Sequence, residues 1–214
     1  ADETRDQSYV LWGLTQEALS KTLMPLGDLR KSEVREIARR HNLRTADKKE
    51  SREICFVADD DYRRFVREWE MRRGRHYKSG DIVLKDGTVV GHHNGTAFYT
   101  IGQRKGLGIA YPKPLYVQRI DAKNNRIIVS EDDSLLRSEL IAEEVNWVAI
   151  EPPRKPFEAQ VKIRYRHTPA QATVTCITDT CVRIVFRDKQ RAITPGQSAV
   201  FYDGDLLLGG GIIS

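Results

Sequence analysis

The sequence predicts an α+β chain that is mostly β, with a helical opening, a small central β-rich unit and a closed barrel or sandwich at the C-terminal end. Three observations predict it. Apolar residues recur at helical spacing only before Gly74. Beyond Gly74 they fall in strand-length runs broken by Asp-Gly, Asn-Asn, Pro and Gly turns. About six of these runs lie between residues 138 and 214, which suits a small barrel.

Taken in order, DQSYVLWGLTQEALSKTL (6–23) places Val10, Leu11, Leu14, Ala18 and Leu19 on one helix face, with Asp6 or Ser8 as its cap. MPLGD breaks it. A second helix over 31–41 turns Val34, Ile37 and Ala38 inward and Arg30, Lys31, Arg35, Arg39 and Arg40 outward, ending at Asn42. Two short helices with no strand between them cannot bury their own apolar faces, so this opening is expected to be the tail of a domain that begins upstream. The next helix starts in ADDDYRRFVREWEMRRG: Tyr62, Phe65, Val66 and Trp69 follow the i, i+3, i+4, i+7 rule, and Gly74 stops it.

Strands are then expected at DIVL and TVV around the Asp86-Gly87 turn, at 97–101, at 115–120, and at 126–130 after Asn124-Asn125. Between them IGQRKGLGIA (101–110) has the glycines and cations of a phosphate cradle. It lacks the Gly-Lys-Ser/Thr and following helix of a nucleotide loop, so a tight basic turn that packs, or touches an RNA backbone, is expected. His92 and His93 adjoin Gly91 and Asn94, which predicts a turn, and no nearby carboxylate or cysteine completes a metal site. In the last third, strands are expected over 146–150, 157–165, 172–177, 182–186, 198–202 and 206–212.

Composition bounds the class. With 40% hydrophobic and 30% charged residues in 214, the chain can bury a real core in about two compact units. It holds no apolar run of membrane-spanning length, and ADETRDQSY is not a signal peptide. Three cysteines without framework spacing point to a reducing compartment, read as the cytoplasm. A net charge of +5 and a pI of 9.1 favour a polyanion, although a solvated mixed-charge surface gives the same balance.

Cys55 is the cysteine placed for chemistry. Lys48, Lys49 and Arg52 precede it, Glu50 and Glu53 partly offset them, and Ile54 and Phe56 could wall a pocket. A thiol beside cations ionises more readily and serves as nucleophile or sulfur carrier; the alternative is a packed residue in a short strand. Cys176 and Cys181 sit near the two ends of one hairpin turn and are expected to be reduced packing residues. Arg164-Tyr165-Arg166-His167 interleaves cations with an aromatic ring at a strand end, a pattern that can hold phosphates and stack a base.

RDQSYVLWGL, MPLGDLRKSEVREIA, KKESREICFV, GHHNGTAFYTIGQRKGLGI, NWVAI, VKIRYR, TPGQSAVFY and LGGGII, in this order along essentially the whole chain, resemble the tRNA-specific 2-thiouridylases, the MnmA (TrmU) family. The resemblance implies an enzyme that exchanges the C2 oxygen of the wobble uridine for sulfur in tRNAs for Lys, Glu and Gln. It implies residues 1–60 as the helical remnant of a PP-loop α/β domain, 61–137 as a central β-rich domain and 138–214 as a C-terminal β-barrel. The ATP loop and a first catalytic cysteine belong upstream, so ATP and Mg²⁺ are expected of the full-length enzyme and not of this piece.

The same resemblance makes Cys55 the persulfide carrier, able to form a disulfide with the upstream cysteine, and assigns its loading to a sulfur-relay protein or a cysteine desulfurase. It matches Arg5, Asp6 and Gln7 to a tRNA-contacting segment, and Arg164, Tyr165 and Gln197 to contacts on the barrel. Taken alone, Asp6 reads as a helix cap, Gln197 as a turn residue and Tyr165 as a core aromatic. Two departures stand out: Ser51-Arg52-Glu53 where Ser-Thr-Gly is common, and Arg5 where Lys is common. A non-catalytic RNA-binding barrel and an ATP-independent persulfide relay are the other readings of the residues.

Overall fold

Side-chain alternation sets the C-terminal part. In Phe157–Lys162, Ala159 and Val161 are buried while Glu158 is exposed, and Cys181–Arg191 alternates in the same way at Val182, Ile184 and Phe186. The computed structural model describes residues 6–48, 57, 61–74, 76–131 and 135–214. They divide into two units: residues 1–50 with 138–189 and 194–214, and residues 51–137 with 190–193.

The first unit holds a closed barrel of six strands: β5 (Leu136–Trp147), β6 (Phe157–Lys162), β7 (Ala170–Thr178), β8 (Cys181–Arg191), β9 (Ser198–Asp203) and β10 (Leu206–Ile213), in the order β10-β5-β8-β7-β6-β9. Closure leaves no strand edge unpaired. The expected start of β5 at Asn146 is ten residues late, because Glu139, Glu143 and Glu144 interrupt the apolar pattern of a strand that buries Leu140, Ala142 and Val145. β6 stops at Lys162, and Arg164 to His167 forms a turn closed by the His167 N–H donating to the Arg164 carbonyl at 3.0 Å.

The helix expected over 6–23 is two pieces, a 3₁₀ helix at Ser8–Gly13 and α1 at Gln16–Ser20. Leu14 between them is extended. The Asn146 side chain explains the break: its Nδ2 donates to the carbonyls of Trp12 and Leu14 at 2.6 and 2.9 Å, taking acceptors a continuous helix would use. α2 (Lys31–Arg40) ends as expected, with Asn42 in the left-handed region at φ 52°. Neither α1 nor α2 contains a buried residue, and Leu23, Leu26 and Leu43 are exposed.

The second unit carries α3 (Tyr62–Arg72) and a sheet of β1 (Gly80–Val83), β2 (Val89–His93), β3 (Tyr116–Asp121) and β4 (Arg126–Ser130), in the order β2-β1-β4-β3. β1 and β4 are parallel and the other neighbours antiparallel. Ile82, Leu107, Leu115, Val117, Ile127 and Val129 form its core. Two expectations fail here. Residues 97–101 are not a strand: Gly95, at φ 131°, opens a 3₁₀ turn at Thr96–Phe98. His92 and His93 lie in β2 rather than in a turn. His93 is buried; its Nδ1 accepts from the Gly95 N–H at 3.1 Å, so Nε2 carries the proton that goes to the Asn125 carbonyl at 3.0 Å.

The IGQRKGLGIA turn is packed into this core. Gly102, Gly106 and Gly108 all have positive φ, the Gly102 N–H donates to the Val117 carbonyl at 2.7 Å, and Leu107 is buried. Its glycines serve chain reversal. Among the described residues no helix is long and apolar enough to cross a membrane, and no group of three His, Cys, Asp or Glu side chains could hold a metal.

Candidate nucleic-acid interface

The first segment of the chain is strapped across the outer face of β9 and β10. In β9, Ala199 and Phe201 alternate with Val200 and Tyr202, yet all four are buried. Val200 and Tyr202 owe this to Tyr9, Trp12 and Leu207, which pack on them. A triple glycine in β10 admits the cover: a Cβ on Gly210 would lie 2.7 Å from Trp12 Cγ. Gly209 and Gly211 face backbone just as closely, at 2.5 Å from the Asn146 carbonyl oxygen and 2.7 Å from that of Glu143.

Polar contacts fix the strap in register. Tyr9 Oη donates to the Ser198 carbonyl at 2.8 Å, Ser8 Oγ lies 3.2 Å from Tyr202 Oη, and Gln16 Nε2 donates to the Val148 carbonyl. Asp6 receives the N–H and hydroxyl of Ser8 at 2.8 and 2.9 Å, a local turn at the entry to the 3₁₀ helix, whose N-cap position is Gln7 and not Asp6. Lys162 Nζ stands 3.6 Å from the Asp6 carboxylate and 5.3 Å from the centre of the Tyr202 ring. Partial burial works against the Asp6 charge, but the two Ser8 donors and Lys162 outweigh it and hold the carboxyl below its ordinary value. Burial pushes the Tyr9 and Tyr202 hydroxyls up, so both keep their protons at neutral pH.

Five of the residues matched by motif fall in the described part of this unit. Tyr165 is 43% exposed, so it is not the core aromatic its type suggests; its ring meets Tyr9 edge-on at 6.1 Å and 65°. Arg164 beside it is exposed. Thus Asp6, Tyr9 and Tyr165 lie within one chain of contacts although the sequence separates Asp6 from Tyr165 by most of its length. Gln7 is exposed, and its side chain makes no capping bond. Gln197 is also exposed, on the Pro195-Gly196 turn next to the Ser198 carbonyl that Tyr9 grips. Arg5 and Cys55 lie outside the described residues.

Sequence reasoning missed Lys162, Tyr9 and Tyr202 as parts of this site. For Lys162 the signal was present, since Ala159, Val161 and Ile163 are the inward residues of β6 and send Lys162 to the outer face. For Tyr9 and Tyr202 no local signal exists, because only the strap makes them neighbours.

The chemistry available is that of a polyanion contact: an exposed aromatic ring, exposed arginines, and amides at Gln7 and Gln197 for hydrogen bonds to base edges. Three family models match consecutive parts of the chain. They are a tRNA methyl transferase HUP domain over residues 1–59, a tRNA methyl transferase PRC-barrel domain over 71–131 and an aminomethyltransferase beta-barrel domain over 137–213. Together the three matches run along nearly the whole chain, a HUP portion followed by two β domains. Relatives named tRNA-specific 2-thiouridylase MnmA align over nearly all of it. One from Carboxydothermus hydrogenoformans is 50% identical over 99% of this chain and 57% of its own length. Another, from Chlorobium phaeovibrioides, is 49% identical over 100% and 60%, and MnmA 1 of Clostridium botulinum strain Loch Maree is 48% identical over 99% and 59%. The chain belongs to the tRNA-specific 2-thiouridylase family, and it spans about three-fifths of the length of these curated relatives.

Proposed function

We propose that this chain is the sulfur-carrying and tRNA-docking part of a tRNA-uridine 2-sulfurtransferase acting on the wobble uridine of tRNAs for Lys, Glu and Gln. One observation supports it most: the DQSY strap and the RYR turn, far apart in sequence, meet at Tyr9 and Tyr165 and leave an exposed ring, arginines and amides on one unit. Tyr165 stacks a splayed base, Arg164 holds phosphate, and Asp6, Gln7 and Gln197 present hydrogen-bonding groups to the nucleotide, with Arg5 added to the same segment. Lys162 and Tyr202 hold the strap that carries Asp6 and Gln7.

Cys55 carries the sulfane sulfur. Its terminal sulfur forms the new bond to C2 while the activated oxygen leaves, and a second thiol then takes Cys55 Sγ into a disulfide, releasing the thiocarbonyl. ATP with Mg²⁺ makes that oxygen a leaving group. The IGQRKGLGIA glycines serve a packed turn, and that activation is assigned to the part of the relatives' length that this chain does not span. A cysteine desulfurase or a sulfur-relay protein loads Cys55. On the same footing, residues 1–60, 61–137 and 138–214 are the end of the PP-loop domain, the central domain and the barrel domain.

The test is nucleoside analysis of tRNA from cells whose only copy of the full-length gene carries Cys55→Ser. Loss of 2-thiouridine from the Lys, Glu and Gln tRNAs is expected. Unchanged 2-thiouridine would reject the assignment, and loss of a methylated nucleoside instead would favour the methyl-transfer chemistry in the family models' names.

A further inference from the structure

The helix α3 ends in an assembly that neither the sheet core nor the barrel strap uses. Phe65 and Trp69, one turn apart, stack at 6.4 Å with their planes 20° from parallel, and the Arg73 guanidinium sits 4.5 Å from the centre of the Trp69 ring. The three make a ladder along one side of the helix, ring on ring on guanidinium. It is open to solvent: α3 has no buried residue, Trp69 is 46% exposed, and Met71, Arg72 and Arg73 beside it are exposed too. Contacts of α3 with its own unit include Tyr62 Oη donating to the Phe98 carbonyl at 3.2 Å and Arg67 lying 5.6 Å from the Phe98 ring.

Charge narrows the occupant. YRRFVREWEMRR carries Arg63, Arg64, Arg67, Arg72 and Arg73 against Glu68 and Glu70 only, and Glu68 is matched by Arg64 at 2.7 Å. The C-terminal carbonyls of the helix account for cations in its last turn. They do not account for the half-exposed indole with a phenyl ring at 6.4 Å and a guanidinium at 4.5 Å, a flat surface that a further planar group can extend.

We propose that this ladder is a second RNA-docking surface, distinct from the Tyr165 face, on which an unpaired base of the bound RNA extends the stack over the Arg73 guanidinium while Arg72 contacts the flanking phosphate. Guanidinium planes and aromatic rings are the two side-chain surfaces on which unstacked bases settle, and arginine also meets the backbone. The inference rests on the tRNA reading given above and adds to it a contact on the other unit, carried by the first helix after Cys55 in the chain.

Binding of the 214-residue chain to a fluorescent single-stranded oligouridylate and to unmodified tRNA, across a salt series, tests it. Trp69→Ala removes the ring that backs the Arg73 guanidinium and is expected to weaken both several-fold. Arg73→Lys keeps the charge but not the plane, so affinity should fall several-fold with an unchanged salt slope, whereas Arg72→Ala should flatten that slope by about 0.7 to 0.9. Circular dichroism of each variant separates loss of contact from loss of fold; Arg73→Lys and Arg72→Ala are surface changes that keep the reading available if Trp69→Ala misfolds. Arg164→Ala with Tyr165→Ala is the control. If that pair abolishes tRNA binding while Trp69, Arg72 and Arg73 variants bind like wild type, the second surface is rejected, leaving the ladder to a protein partner, and the tRNA reading stands. If wild type binds neither RNA, both fall.

Discussion

Two aromatic–cation assemblies, one on each unit, put the same kind of contact to opposite ends. On the barrel, Lys162 lies over the Tyr202 ring with Asp6 as counter-charge, under a strap whose Tyr9 is buried. On α3, Arg73 lies over Trp69 with the indole half exposed. A cation over a ring is therefore not itself a sign of function. What separates the two is what covers the ring: the barrel assembly is closed by its own chain and acts as a fastening, whereas the α3 assembly is open and has stacking surface left to give.

The largest expected effect breaks the fastening sterically. Gly210→Val puts branched carbon where a Cβ alone would already meet Trp12 Cγ at 2.7 Å. It should cost about 1–3 kcal/mol and expose Trp12, read as a red shift in its emission in a chain lacking the other two tryptophans. A variant with wild-type melting and emission would mean that the strap is not seated on the glycines.

A smaller effect should appear with acid. The Asp6 carboxyl is held below its ordinary value of 3.8, so its contribution is complete above that value and is lost as pH falls through the lower, folded-state one. Strap docking, followed by the same Trp12 emission, should loosen only in that acid window, and Asp6→Asn should remove this step while leaving the rest of the acid transition in place. A step centred at neutral pH would contradict the assignment to Asp6.

The smallest effect sharpens the contrast from the other side. Trp69→Ala should change stability by less than about 0.5 kcal/mol, since the ring is half exposed and α3 is docked through Tyr62 and Arg67. A loss of several kcal/mol by urea unfolding would make the ladder a structural element instead of a docking surface.

How far the sequence was legible follows from the range of the interactions involved. The barrel strands were readable because their burial alternates every second residue, and α3 because its apolar spacing, the Asp61 cap and Gly74 agree. What failed was set by distant partners. Gly13 and Leu14 gave little warning that Asn146 would take the carbonyls of a helix-like segment, and β5 hid behind its glutamates. LGGGII was legible as part of the last strand, but the reason for three adjacent glycines in it was not, because Trp12, which lies on Gly210, comes from the other end of the chain. Of the candidate site, motif order brought Asp6, Gln7, Arg164, Tyr165 and Gln197 into view, while Lys162, Tyr9 and Tyr202 needed the strap.

The most direct measurement is photocrosslinking of tRNA to the chain with a benzophenone amino acid in place of Tyr165 or, as a control on an exposed position of β8, Val185. The account expects covalent attachment of tRNA from position 165, competed by unlabelled tRNA, and little from position 185. Equal yields from the two positions, or attachment from 185 alone, would contradict the assignment of the strap-and-turn face to RNA.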